Sequence, residues 1–249
     1  MNKLIKILPF LIAVSLFSCD DDDPVDEDNT GSIKLVVNIL NDGEALELDS
    51  KEYTNEAGNV YTVTEFKFYL SNVKLRNTST GAFYLEPDSY HLVERLPESN
   101  VYEIEIDDVP IETYNQLEFA VGVDNGKNYS LDNVGALDPT NNMAWDWNTG
   151  YKFLLLEGRH LNGSDTPAGL VMHIGSDSNY KTIKLSTDAV EIAQGKEAVY
   201  NINAEISQIF KEPNTIDFTT NNVVMFDSIA NKVAANYANN MFSISSVED

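Results

Sequence analysis

Three histidines, His91, His160 and His173, are the side chains of this sequence best suited to hold a metal ion or move a proton near neutral pH. His91 stands in Ser89-Tyr90-His91-Leu92-Val93-Glu94 and His173 in Val171-Met172-His173-Ile174-Gly175. Both stretches alternate as strands do, so Val171 and His173 share one face while Leu170, Met172 and Ile174 share the other. His160, in Glu157-Gly158-Arg159-His160-Leu161-Asn162-Gly163, reads as an exposed loop residue after a strand. An ordinary strand histidine is a surface residue, or a core residue satisfied by a backbone carbonyl. A metal site needs at least two donors, each about 2 Å from the ion and often on different strands. Spacing alone leaves open whether His91 and His173 meet.

Both tryptophans, Trp145 and Trp147, fall in one stretch, Asp138-Pro139 through Phe153, two residues apart. Alternation sends their side chains opposite ways, one into a core and one nearer the surface. Asp138-Pro139 and Asn148-Thr149-Gly150 read as the turns around this aromatic plug. No HExxH, GxSxG, P-loop or GxGxxG pattern occurs, so the common hydrolase and nucleotide signatures fail and no enzyme is expected. Asp124-Asn125-Gly126-Lys127-Asn128 lacks the spacing of a calcium loop and reads as a solvated turn. The abundant carboxylates would permit a secreted carboxylate-pair glycosidase, but no motif supports one.

Residues 1–18 read as a secretory signal, with Lys3 and Lys6 ahead of an apolar run from Ile7 to Phe17 that is too short to span a membrane. Leu16-Phe17-Ser18 before Cys19 reads as a lipobox, making Cys19 the lipidated residue. It is the chain's one cysteine, which excludes internal disulfides, CxxC knuckles and cysteine catalysis in the mature domain. Residues 19–31 read as an acidic, disordered tether opening with Asp20-Asp21-Asp22-Asp23. The net charge is −24, and losing Lys3 and Lys6 with the signal takes it to −26. Such a surface repels phosphate backbones, so nucleic acid is not an expected partner.

Residues 32–249 then read as a single all-β domain, an antiparallel β-sandwich with a C-terminal helix. Ile33, Leu35, Val37 and Ile39 alternate on one face of a first strand, and Phe66, Phe68 and Leu70 alternate with Glu65, Lys67 and Tyr69. Further strands are expected around Tyr102–Ile106, Leu117–Val123, Lys152–Glu157, Leu170–Ile174, Lys181–Ser186 and Ala198–Ile206. Turns such as Asn41-Asp42-Gly43 and Gln194-Gly195 separate the strands. Many short strands without long intervening helices point to a sandwich. Asp227 is placed to cap a helix over 228–241, with Ile229, Val233, Tyr237 and Met241 as its inward stripe.

Several segments follow one another in the order seen in one known family. They are Phe66-Lys67-Phe68-Tyr69-Leu70-Ser71-Asn72-Val73-Lys74-Leu75, Tyr90-His91-Leu92-Val93-Glu94, Gly122-Val123-Asp124 and Leu137-Asp138-Pro139. Met143-Ala144-Trp145-Asp146-Trp147, Gly150-Tyr151-Lys152-Phe153, Glu157-Gly158 and His173-Ile174-Gly175 complete the set. Through most of its mature length the chain resembles the MbnP-like copper-binding domains. The resemblance implies a secreted β-sandwich that binds copper, in some methanotroph members through two histidines and a tryptophan oxidised to kynurenine. It implies as partner a diheme protein of the cytochrome c peroxidase type, or a TonB-dependent receptor. Carried over, it makes His91 and His173 the copper ligands. The oxidisable tryptophan precedes a ligand histidine by two residues, where this chain has Ser89, so weaker copper binding is expected. Trp145 or Trp147 could take that place in space, and Met143 and Met172 are available soft donors. The acidic run after Cys19 also resembles the export signals of surface lipoproteins in Bacteroidetes-type bacteria. The reading is an outer-membrane lipoprotein, periplasmic or surface-exposed, that binds copper for acquisition or handling. Its alternative is a non-catalytic recognition module that kept the fold and lost the metal.

Overall fold

A computed structural model describes residues 29–130, 132–146, 148–161 and 166–248. Cys19, most of the tether and Trp147 lie outside them. The strands are β1 (Thr30–Asn41), β2 (Glu44–Ala45), β3 (Tyr53–Thr54), β4 (Val60–Arg76), β5 (Phe83–Leu85), β6 (Tyr90–Glu94), β7 (Val101–Pro110) and β8 (Thr113–Val121). They continue with β9 (Ala144–Asp146), β10 (Gly150–Leu161), β11 (Ala168–Gly175), β12 (Lys181–Glu191), β13 (Glu197–Glu205), β14 (Val223–Val224) and β15 (Phe242–Glu248). The helices are the single turn α1 (Asn125–Asn128) and α2 (Ser228–Asn240).

The strands form two sheets, a smaller one of β15-β13-β1-β2 with β7 on β1, and a larger one ordered β12-β8-β4-β10-β11-β14. The all-β sandwich is as expected, but its pairing is mixed, because β1–β13 and β11–β14 run parallel. β1 begins at Thr30, inside the stretch read as tether, because Thr30 and Gly31 pair with Pro110 and Val109. Ile33, Leu35, Val37 and Ile39 are fully buried, and they meet Phe66, Phe68 and Leu70 of the larger sheet in one apolar core. Each such side chain contributes about 1.5–3 kcal/mol by leaving water.

The Asp227 side chain accepts from the N–H groups of Ile229 and Ala230, so α2 starts where its cap predicts. Ala230, Val233, Ala234 and Tyr237 form its buried side. The chain then adds β15, a strand the periodicity did not suggest, as the edge partner of β13.

β4 organises everything that follows. It is 17 residues long and changes face twice. Its register shifts between Val63 and Glu65, and again between Ser71 and Lys74, where Asn72 has a φ of 55°. Between these bulges Phe66, Phe68 and Leu70 face the main core, whereas Glu65, Lys67, Tyr69 and Ser71 face outward. One edge of β4 pairs first with β10 and then with β8, and its other edge holds β3, β6 and β5.

Candidate functional site

The outward face of β4, β6, β10 and β11 has two halves. On one, Tyr69, Tyr151, Phe153 and Leu155 form a second apolar cluster with Val123, Leu137 and Met143. The segment between β8 and β10 covers it. Tyr69 donates to the Ala136 carbonyl at 3.1 Å and Tyr151 to the Leu137 carbonyl at 2.6 Å. Asp124 ties the start of the cover, accepting from Tyr90 Oη at 2.5 Å and Asn72 Nδ2 at 3.2 Å. It also caps α1, accepting from the Gly126 N–H. The stretch screened for calcium is therefore a capped helical turn.

The other half is uncovered and carries charge. Lys67 Nζ lies 3.0 Å from Glu65 and 2.9 Å from Glu94. His173 Nε2 lies 2.9 Å from Glu157 Oε1. Register puts Glu94, Lys67, Leu155 and His173 in one cross-strand row, with Glu65 and Glu157 paired in the next. Burial holds the His173 imidazole below its ordinary pKa, and nearby Lys152 pushes the same way, against the Glu157 hydrogen bond. Burial also lowers Lys152, whose ammonium donates to the Asn142 carbonyl at 2.9 Å. Burial opposes charge on Lys67 as well, but its ion pairs with Glu94 and Glu65 outweigh that and raise its pKa.

Trp145 borders this half. Its indole lies against Gly175, two residues from His173 on the same face, and a Cβ at Gly175 would sit 2.5 Å from the ring. Phe226, 59% exposed, packs on Trp145 with ring centres 4.5 Å apart. Trp145 is half-buried and Trp147 lies outside the described residues, so the alternation expected of the pair stays an expectation.

The structure does not bring His91 and His173 together. His91 pairs with Leu70, a main-core residue, and His173 with Leu155 of the outer cluster. Leu155 pairs with Lys67, three residues from Leu70 with no bulge between, so the two histidines point to opposite faces. Three strand spacings, roughly 14 Å, also separate β6 from β11. His91 Nε2 instead meets the Glu86 carboxylate at 2.9 and 3.1 Å, and Ser89 donates to the same carboxylate. His160 corrects the sequence reading, because β10 runs on to Leu161 and pairs His160 with Tyr61. It is 2% exposed, packs edge-on against Phe218, and its Nδ1 has no hydrogen-bond partner among the described residues. Met143 and Met172 are fully buried in different clusters, Met172 on the face opposite His173.

Among the described residues, no group of three or more His, Cys, Asp or Glu side chains could hold a metal ion. A two-histidine copper site does not fit this geometry. The sequence reading missed Glu157, Lys152 and Glu65 as neighbours of His173. The Glu65/Lys67 alternation was visible, but the cross-strand rows depend on register, which the sequence does not state.

Fold and site together define a β-sandwich with a covered aromatic outer cluster beside an open, charged patch. The sequence model of the MbnP family matches residues 30–226, and the chain belongs to that family. A solved structure, MbnP from Methylosinus trichosporium, superposes with a TM-score of 0.54 over 80% of this chain and 82% of its own, at 14% identity. That likeness is one of fold. No curated protein matches the chain in sequence.

Proposed function

We propose that the protein is a non-catalytic, copper-associated lipoprotein of the outer membrane, held by lipid on Cys19, that works through the open half of its outer face. The observation that carries this reading is the placement of His173, Gly175 and Trp145. All three lie in segments that resemble the family, and all three border the uncovered patch. His173 is the histidine of this face, and its imidazole, with Glu157 beside it, is the donor set the chain offers to copper. Two donors leave most of the coordination sphere open, so water or a partner's side chain completes it. A diheme partner or a TonB-dependent receptor would meet the protein on this patch. His91, held by Glu86 on the other face, takes no part.

The second reading, a recognition module without metal, is favoured by the lack of a third protein donor among the described residues. Copper titration of the mature domain at neutral pH, followed by dialysis and metal analysis, separates the two. The expected result is one retained copper, lost in His173→Ala and kept in His91→Ala. Retention that survives His173→Ala rejects the proposed site. No retention by the wild type leaves the recognition module.

A further inference from the structure

The larger sheet has another uncovered stretch, on the outer side of β5 and the far part of β4. Beyond the Asn72 bulge, alternation turns Lys74 and Arg76 outward, while Val73 and Leu75 enter the core. Register aligns Leu85, Lys74, Glu118 and Lys184 in one cross-strand row, and Phe83 with Arg76 in the next. Two cations thus pair with one carboxylate, and a third, Lys74, is its cross-strand neighbour. Arg76 Nε stands 3.1 Å and Lys184 Nζ 3.9 Å from Glu118, whose side chain is 9% exposed. Lys74 has no carboxylate within salt-bridge distance among the described residues, and its ammonium lies 4.3 Å from the ring centre of Phe83. Phe83 and Leu85 are exposed. Asp107 and Asp108, like Glu86 just after β5, act on Tyr84, which alternation turns to the other side of that strand. A locally cationic patch therefore stands on a chain of net charge −24.

We propose that Lys74, Arg76 and Lys184 dock the chain's own acidic segment, residues 20–28, seven of whose nine side chains are carboxylates. The root of that segment lies at the right end of the sandwich. The Asn29 carbonyl accepts from the Ile111 N–H, and two residues on, the Thr113 carbonyl accepts from Asn77 Nδ2, next to Arg76. Strand spacings near 5 Å and a rise near 3.3 Å per residue put that path at roughly 15–20 Å. Nine extended residues reach about 30 Å. Lys196, at the root beside Ser32, is a nearer cation, but a single one. Exposed pairs of this kind are individually weak and salt-sensitive, so several must act together at the high local concentration that the covalent link provides.

The test uses the one cysteine. The chain from residue 19 onward, unlipidated, takes a nitroxide spin label on Cys19, and amide signals are followed by NMR. The expected result is selective loss of intensity along β5 and around Lys184. That loss should vanish in the triple variant Lys74→Glu/Arg76→Glu/Lys184→Glu and in 1 M salt, where the Debye length is about 3 Å, and it should persist in Lys196→Glu. Unchanged signals elsewhere certify the fold of each variant. Broadening confined to the start of β1, or identical in the triple variant, overturns the proposal. So does binding to anionic phospholipid vesicles that the triple variant abolishes while the label pattern stays the same, since the patch would then serve a membrane surface.

Discussion

The covered and open halves of the outer face share the same strands, yet they are built on opposite terms. On β10, Phe153 and Leu155 lie in the covered cluster, and Glu157, two residues on, opens the charged half. On β4, Tyr69 is fully buried and Lys67, two residues before it, carries two carboxylates. The covered half is held by packing and by hydrogen bonds aimed at particular carbonyls. The open half is held by ion pairs that water partly reaches. Of the segments resembling the family, Gly122-Val123-Asp124 and Leu137-Asp138-Pro139 belong to the cover, and Tyr69, Tyr151 and Phe153 from two others form the cluster beneath it. Much of the family pattern therefore serves to build the covered half, while Glu157-Gly158 and His173-Ile174-Gly175 fall on the open one.

The contrast is broken most directly at Phe153. Its ring is fully buried and lies over Gly122, whose φ of 124° and close approach to that ring leave no room for a Cβ. Phe153→Ala should destabilise the fold by about 3–5 kcal/mol, the usual cost of truncating a buried aromatic residue. Urea unfolding measures this. A loss under 1 kcal/mol would mean that the covered half is not a packed cluster.

The features legible in the sequence were those with a local period. β1, the outward alternation of Glu65, Lys67 and Tyr69, and the Asp227 cap each follow from spacing within one element. The two bulges in β4 were not legible, because Thr64 and Asn72 carry no signal that fixes a register shift. Yet those shifts decide which face each later residue takes. The pairing of His91 with Leu70 and of His173 with Leu155 is non-local in the same way, so two histidines in family-matching strands read as one site but lie on opposite faces. His160 was misplaced because the strand expected to end at Glu157 runs on through Gly158 to Leu161. There Gly158 is required, since a Cβ would meet the Thr62 carbonyl at 2.0 Å.

An intermediate effect is expected at the tie between the lid and the sheet. Burial pushes the Asp124 carboxyl up, but the hydrogen bonds from Tyr90, Asn72 and the Gly126 N–H outweigh it and hold the group below its ordinary value of 3.8. Tyr90→Phe should cost about 1.5–3 kcal/mol, as for other hydrogen bonds to a charged group. A lowered native pKa makes the stabilisation complete above 3.8 and erodes it as pH falls below that value. The gap between wild type and Tyr90→Phe, read from unfolding midpoints, should therefore be widest near neutrality and narrow under acid. A gap that widens as pH falls would mean that Asp124 is not the group the tyrosine stabilises.

The smallest effect belongs to the open half. Glu65 is one-third exposed and shares Lys67 with Glu94, so Glu65→Gln leaves the lysine one partner and leaves no buried charge unpaired. The expected cost is about 0–1 kcal/mol, shrinking further with added salt because the pair is screened. Matched unfolding curves at low and high ionic strength measure it. If Glu65→Gln instead costs as much as Phe153→Ala, the charged row is a structural element of the sheet. The open half would then have no more freedom to bind than the covered one. If it costs little, the row of Glu94, Lys67, Glu65, Glu157 and His173 is held together without being needed for folding, and its side chains can exchange their present partners for a ligand at small expense.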